Sequence, residues 1–226
     1  SRVLFVQEGA GVPAVFRAAL DSTYGLDRWD VYRFWAQFPD RPMTLIETFR
    51  KFDLVIWGNS SGAGPNLEEA TEKRTELDND SIIGRYVDVE NPDGGRLLMF
   101  SPTIVGYASG LQAAFQQRVL GLNSLSGGTV TLQIPAAKQA LGLQPHLGTM
   151  TSQYVYPQLG AVSLDPLAGV AEPIYRMEFC RGCYGSRTAP SEPVMGTRRP
   201  LRSTGEFARV VAFSFLFNGF RPPLSN

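Results

Sequence analysis

The chain alternates short apolar runs with amphipathic stretches from its second residue onward. RVLFVQEG is an almost unbroken hydrophobic run closed by a glycine, the pattern of a strand buried on both faces. Pro13 then opens a helix at the position where a missing N–H costs nothing. PAVFRAALDSTYG places Val15, Phe16, Ala19 and Leu20 at helical spacing and stops at Gly25. WDVYRFW predicts a second strand, and MTLIETFRKF a second helix with Leu45, Ile46 and Phe49 on one face. DLVIWGNSSG is a third strand running into a Ser/Gly loop. LEEATEKRTELD predicts a helix whose early carboxylates suit its dipole. GGRLLMFS is a fourth strand, and SGLQAAFQQRVLG the helix after it.

Strands and helices in this order imply an α/β fold, because each crossover helix must pack back onto a parallel sheet. The expected architecture is a flavodoxin-like three-layer sandwich with a mostly parallel sheet in the order 2-1-3-4-5. From residue 122 the texture changes. SLSGGTVTLQIP and GAVSLDPLAG are punctuated by Gly, Ser and Pro, EPIYRMEF reads as a strand and PVMGTRR less clearly so. ARVVAFSFLFNGF is then a strongly apolar strand that re-enters the sheet and ends the fold. The expectation is one α/β domain over 1–226, with its core in 1–121 and 207–221 and a β-rich elaboration in 122–206, inserted before the last strand.

Charge narrows the partners. Lys+Arg and Asp+Glu number 21 each, so no net field draws the chain to nucleic acid or an anionic membrane. No apolar run approaches the roughly 20 residues of a membrane span. Arg198, Arg199 and Arg202 form a local basic cluster, read as a solvated loop, with a small anion or partner site as the alternative. The chain opens at Ser1 and runs at once into a strand, as an excised or processed segment would.

The two cysteines, Cys180 and Cys183, are spaced CRGC. A closed zinc site needs four ligands and the chain has one histidine, so no metal is expected. A redox motif would open a helix after an early strand, whereas this pair follows PIYRMEF and precedes a loop. A disulfide or two free thiols are the favoured readings. A disulfide would place the chain in an oxidising compartment.

Several stretches together resemble one family. RVLFVQEGAG, WDVYRFWAQFPDRP, FDLVIWGNSSG, GGRLLMFSPTIVGY and the closing ARVVAFSFLFNGF are similar to class I glutamine amidotransferase-like (flavodoxin-like) domains of secreted bacterial proteins, including those beside metallopeptidase domains. The resemblance covers the first 120 residues and the final strand. It implies the fold named above and a secreted or periplasmic location. Catalytic amidotransferases carry cysteine where this chain has Ser101, so the resemblance also implies a domain without the catalytic nucleophile.

Ser101 nonetheless sits at a strand-to-helix tip, where a nucleophile elbow would be. Such an elbow needs small neighbours, and Met99 and Thr103 flank it two residues away. Pro102 removes the N–H that commonly completes an oxyanion hole. His146 is the one available histidine base, in QPHLG. Glu8, Gly9 and Gly11 follow the first strand at its carboxyl end, and Asn59, Ser60 and Ser61 follow the third. These are the candidate ligand-binding positions, since open α/β sheets bind ligands along that edge. The third glycine of a dinucleotide fingerprint is missing and no Walker motif occurs, so no cofactor is expected.

These readings favour a non-catalytic accessory or interaction domain of a larger secreted bacterial protein, partnered by other domains of its chain or by another protein. The alternatives are a hydrolase or amidotransferase-like enzyme using Ser101, and a small-molecule or flavin-binding domain.

Overall fold

A computed structural model describes residues 2–8, 14–33, 42–59, 82–100, 115–123, 131–132, 138–148, 150–152, 161–177, 194–200, 208–214 and 220–221. The opening apolar run forms strand β1 (Val3–Glu8), and α1 (Ala14–Tyr24) follows it. Gly25 ends α1 at φ 89°, a left-handed conformation that costs glycine little, and its N–H donates to the Asp21 carbonyl. Next come β2 (Trp29–Arg33), α2 (Pro42–Phe49) and β3 (Leu54–Asn59). A short helix, α3 (Ile82–Val87), precedes β4 (Arg96–Phe100). The predicted helix 67–78 lies outside the described residues. The end of the helix predicted over 109–121 is a π-helical turn, Gln116–Leu120, closed by Gly121 at φ 70°.

Along the parallel strands, alternate residues serve opposite faces. Leu4 and Val6, Val55 and Trp57, Leu97 and Met99, and Val210 and Ala212 pack on one side with Ile46 and Phe49 of α2, Ile83, Tyr86 and Val87 of α3, and the π turn. Val3, Phe5, Ile56, Phe100 and Phe213 pack on the other side with Phe16 and Leu20 of α1. Both faces are therefore covered, which is why these strands read as continuous hydrophobic runs.

The remaining strands are β5 (Thr131–Leu132), β6 (Lys138–Gly142), β7 (Met150–Ser152), β8 (Ala161–Val162), β9 (Glu172–Met177), β10 (Val194–Pro200), β11 (Ala208–Phe213) and β12 (Phe220–Arg221). Among the described residues the main sheet has ten strands, in the order β12-β7-β6-β9-β10-β11-β4-β3-β1-β2. The strand order therefore differs from the five-strand 2-1-3-4-5 expected. Parallel pairing runs through β2-β1-β3-β4-β11, and the rest of the sheet continues antiparallel beyond β11. The chain from β6 to β10 closes its hydrogen bonds on the β11 edge and lengthens the same sheet. β5 and β8 form a separate two-stranded ribbon.

Two further expectations are corrected. β11 does not end the fold, because β12 returns to pair with β7. Arg198 and Arg199 are not in a solvated loop but in β10, where Arg198 pairs with Glu172 and Arg199 is 7% exposed. Arg202 lies outside the described residues. A file of aromatic rings ties the two halves of the sheet together. Phe5 and Phe16 are 5.2 Å apart, Phe16 and Phe100 6.5 Å, Phe100 and Phe213 4.9 Å, and Phe213 and Tyr175 5.8 Å. Gly196 is kept small by this file, since a Cβ there would meet the Phe213 ring at 2.7 Å.

Candidate functional site

Two of the sequence candidates, Glu8 and Asn59, lie at the carboxyl ends of parallel strands. β1 and β3 pair in register to their last residues, so Glu8 and Asn59 lie side by side in the backbone. Phe100, the last residue of β4, pairs with Gly58 of β3 and Phe213 of β11. The end of β4 is thus two strands from Glu8. At this edge Ser214 is fully buried, and its hydroxyl donates to Met195 Sδ at 3.8 Å. Gly9, Gly11, Ser60, Ser61 and Ser101 lie outside the described residues, as do Cys180 and Cys183.

His146 stands well across the sheet from the end of β4. It is exposed in the turn after β6, and Leu147 beside it sits directly against Gly142, which has no room for a Cβ. Gly142 aligns through Tyr175, Gly196 and Phe213 with Phe100, a line that crosses four strand intervals. At about 4.8 Å per interval, that is roughly 19 Å across the sheet.

A cleft among the described residues lies at the opposite, amino-terminal edge. Its volume is about 670 Å³, and its lining includes Asp53 before β3, Arg85 and Tyr86 of α3, Arg96 at the start of β4 and Arg209 at the start of β11. It is built by the turn between α3 and β4. Asp88 leaves α3 at φ 39°, the one positive value outside glycine among the described residues. Asn91 then accepts a bond from the Asp93 N–H at 3.0 Å through its side chain, and Gly95 N–H donates to the Tyr86 carbonyl at 2.8 Å.

Two close approaches fix this turn. A Cβ on Gly95 would enter the Tyr86 ring, and one on Gly94 would meet the Asp88 carbonyl at 2.7 Å and Arg209 Nη1 at 2.9 Å. The glycine pair of GGRLLMFS therefore has a packing reason. The Tyr86 hydroxyl lies 3.2 Å from the carbonyls of both Phe52 and Arg96, joining the beginnings of β3 and β4. Burial pushes its pKa up to about 12, with the Asp53 carboxylate adding to the rise.

Arg209 forms the floor and is 4% exposed. Its Nη2 donates to the carbonyls of Asn91 and Pro92, both at 2.8 Å, and its Nη1 to those of Gly94 and Gly95. Burial and the neighbouring Arg96 lower its pKa, while Asp88 and Asp93 act against that. Arg199 plays a similar part on the α2–α3 side of the sheet, donating to the carbonyls of Arg118 and Val119 at the end of the π turn.

This cleft was missed from the sequence, because its polar groups sit between strands where no motif marks them. The one available signal was arginine heading an apolar strand, as in ARVVAF. Among the described residues, no group of His, Cys, Asp and Glu is clustered to hold a metal ion.

No family model matches the chain, and no curated protein does. Among solved structures it is similar to a candidate GMP synthase component from Thermoplasma acidophilum, with a TM-score of 0.50 and 10% identity. The match covers 95% of this chain and 83% of that one. At this identity the likeness is one of fold. Among the described residues, no helix is long and apolar enough to cross a membrane.

Proposed function

We propose that the chain is a non-catalytic accessory or interaction domain of a larger, secreted bacterial protein, built on a glutamine amidotransferase-like fold whose nucleophile has been lost. The observation that carries this reading is the position of His146. Nucleophilic catalysis at Ser101 needs a base within hydrogen-bond reach, and His146 is held beside β6, four strands from β4. The likeness to a candidate synthase brings no activity with it, because Ser101 stands where the catalytic amidotransferases have cysteine. Pro102 and Met99 weaken the elbow further.

The test is labelling with a fluorophosphonate probe, together with glutamine hydrolysis by the purified chain. The expected result is no labelling above that of Ser101→Ala and no ammonia release. Labelling lost in both Ser101→Ala and His146→Ala would overturn the reading in favour of a hydrolase.

The ligand-binding alternative has one observation in its favour. Glu8 and Asn59 are adjacent at the carboxyl edge, two strands and one strand from the end of β4. Purification would decide it for a flavin: a yellow protein supports it, while a colourless one without thermal shift on added FMN counts against it.

A further inference from the structure

We propose that β2, the end strand of the sheet's parallel half, is an interaction edge that takes a second copy of this chain by antiparallel β2–β2 pairing about a two-fold axis at Val31. The surface is apart from the arginine-lined cleft. It holds whether or not Ser101 is inert, so its test and the probe labelling fail independently.

Hydrogen-bond direction makes the edge. The Val3 N–H donates to the Arg28 carbonyl at 3.0 Å, and Val3 is in register with Trp29. In a parallel ladder that phase turns the main chains of residues 28, 30 and 32 toward β1, and those of Trp29, Val31 and Arg33 away from it. Among the described residues β2 pairs with β1 alone, and no hydrogen bond to the outward groups is present there. Val31 is 37% exposed and Asp30 is exposed as well. A row of outward main-chain donors and acceptors is a template for another strand.

Proteins normally blunt such an edge with a very short strand, a bulge, a proline or a lysine. The far edge follows that rule, since β12 has two residues. β2 does not. WDVYR holds neither Pro nor Lys, pairs with β1 without a register shift, and has an apolar, β-branched valine at its middle. Leu26, 76% exposed, lies in the turn leading into it. Two of the four exposed large apolar side chains among the described residues thus fall in the stretch that makes this edge.

The strand suits a copy of itself. A two-fold axis perpendicular to the sheet pairs a strand with itself antiparallel, through one patch used twice. The register centred on Val31 is the one that engages all of Trp29–Arg33. It sets Val31 opposite Val31, Trp29 opposite Arg33 and Asp30 opposite Tyr32 along the ladder. The outward groups then match, because the Val31 pair exchanges both of its hydrogen bonds, as do Trp29 and Arg33. No like charges stand directly opposite each other, whereas centring one residue earlier would set Asp30 against Asp30. Asp30 already has Arg2 at 3.5 Å. The chain's 21 basic and 21 acidic residues leave no net charge to push two copies apart.

The experiment uses the whole chain. Sedimentation equilibrium from about 5 to 300 µM spans the modest affinity expected of a small edge interface. The mass should rise from 24.8 kDa toward twice that value. Hydrogen exchange over residues 29–33 should slow as the dimer fills. Val31→Lys sets two like charges opposite each other and should raise the dissociation constant at least about tenfold. Val31→Pro, which removes an outward N–H and leaves the β1 ladder alone, should abolish the dimer. Circular dichroism checks that each variant is folded, and the exchange measurement on the parent chain decides the matter even if one is not. A monomer throughout the range would overturn the proposal and leave the edge to a strand of another protein. A dimer indifferent to Val31→Lys, or one without protection over 29–33, would overturn it as well.

Discussion

Arg209 donates from Nη2 to the Asn91 carbonyl at 2.8 Å, joining residues 118 positions apart in the chain. The contact fastens the start of β11, which arrives after β5 to β10, onto the turn that precedes β4. Neutral replacement leaves the carbonyls of half-buried Gly94 and Gly95, and those of Asn91 and Pro92, without that donor. Arg209→Met should therefore cost about 2–4 kcal/mol of stability. Arg209→Lys, with one compact donor group in place of a fork, should recover only part of it. Urea unfolding monitored by tryptophan fluorescence measures both. A loss below about 0.5 kcal/mol for the Met variant, the range of ordinary surface changes, would show that the carbonyls find other partners.

Glycines packed against aromatic rings give a second prediction. Gly95→Ala drives a methyl into the Tyr86 ring, which is itself 2% exposed and has little room to retreat. Gly58→Ala places one 2.8 Å from Phe5 Cζ. Each should destabilise by about 1–3 kcal/mol, the usual cost of overpacking. Gly148 has nothing within 4 Å of its ideal Cβ, so Gly148→Ala should change stability by less than about 0.5 kcal/mol. Thermal midpoints of the three variants side by side check the order, and a Gly148→Ala loss equal to that of Gly95→Ala would refute the steric account.

The parallel half of the sheet was legible because its strands are buried on both faces, and double burial writes itself as unbroken apolar runs such as VLFV and LVIW. α3 was not read at all. IIGRYV offers three β-branched residues and a glycine, poor material for a helix, yet Ile83, Tyr86 and Val87 bury at the i, i+3, i+4 spacing of one helical face. Six residues are too few for that period to stand out. The antiparallel strands were legible only where they are apolar, as in EPIYRM; KQALG shows neither alternation nor a run. The buried arginines had no signature either, since Arg209 and Arg199 donate to main-chain carbonyls, which any residue type supplies.

Alkaline pH should expose the role of Tyr86. Its hydroxyl is held up to about 12 by burial, against about 10 in an unfolded chain. Between these values the unfolded state loses its proton while the folded state keeps it, so stability falls as pH rises. The contribution is complete below pH 10 and lost by about pH 12, amounting to about 2–3 kcal/mol at 1.36 kcal/mol per unit. Burial also raises Tyr32 and Tyr175, and both act in the same direction. Tyr86→Phe should therefore flatten the decline without abolishing it. Urea midpoints at pH 8, 10 and 11 measure the slope, and equal slopes in variant and parent would remove Tyr86 from the explanation.

Phe49 is the point where α2 locks onto the sheet. Its fully buried ring meets Trp57 edge-on at 6.3 Å, Tyr86 at 5.7 Å and Tyr32 at 6.4 Å. Rings in this geometry gain more than their buried area alone supplies. Phe49→Ala should cost about 3–5 kcal/mol through lost burial and the cavity left behind. Phe49→Leu refills much of the volume but restores no ring contact, so its cost should fall between zero and the alanine value. Near-ultraviolet circular dichroism separates the two contributions: both variants should lose the Trp57 signal that edge-on packing imposes, while only the alanine variant loses most of its stability. A leucine variant with an unchanged spectrum would mean that β3 and α3, rather than the Phe49 ring, fix the indole.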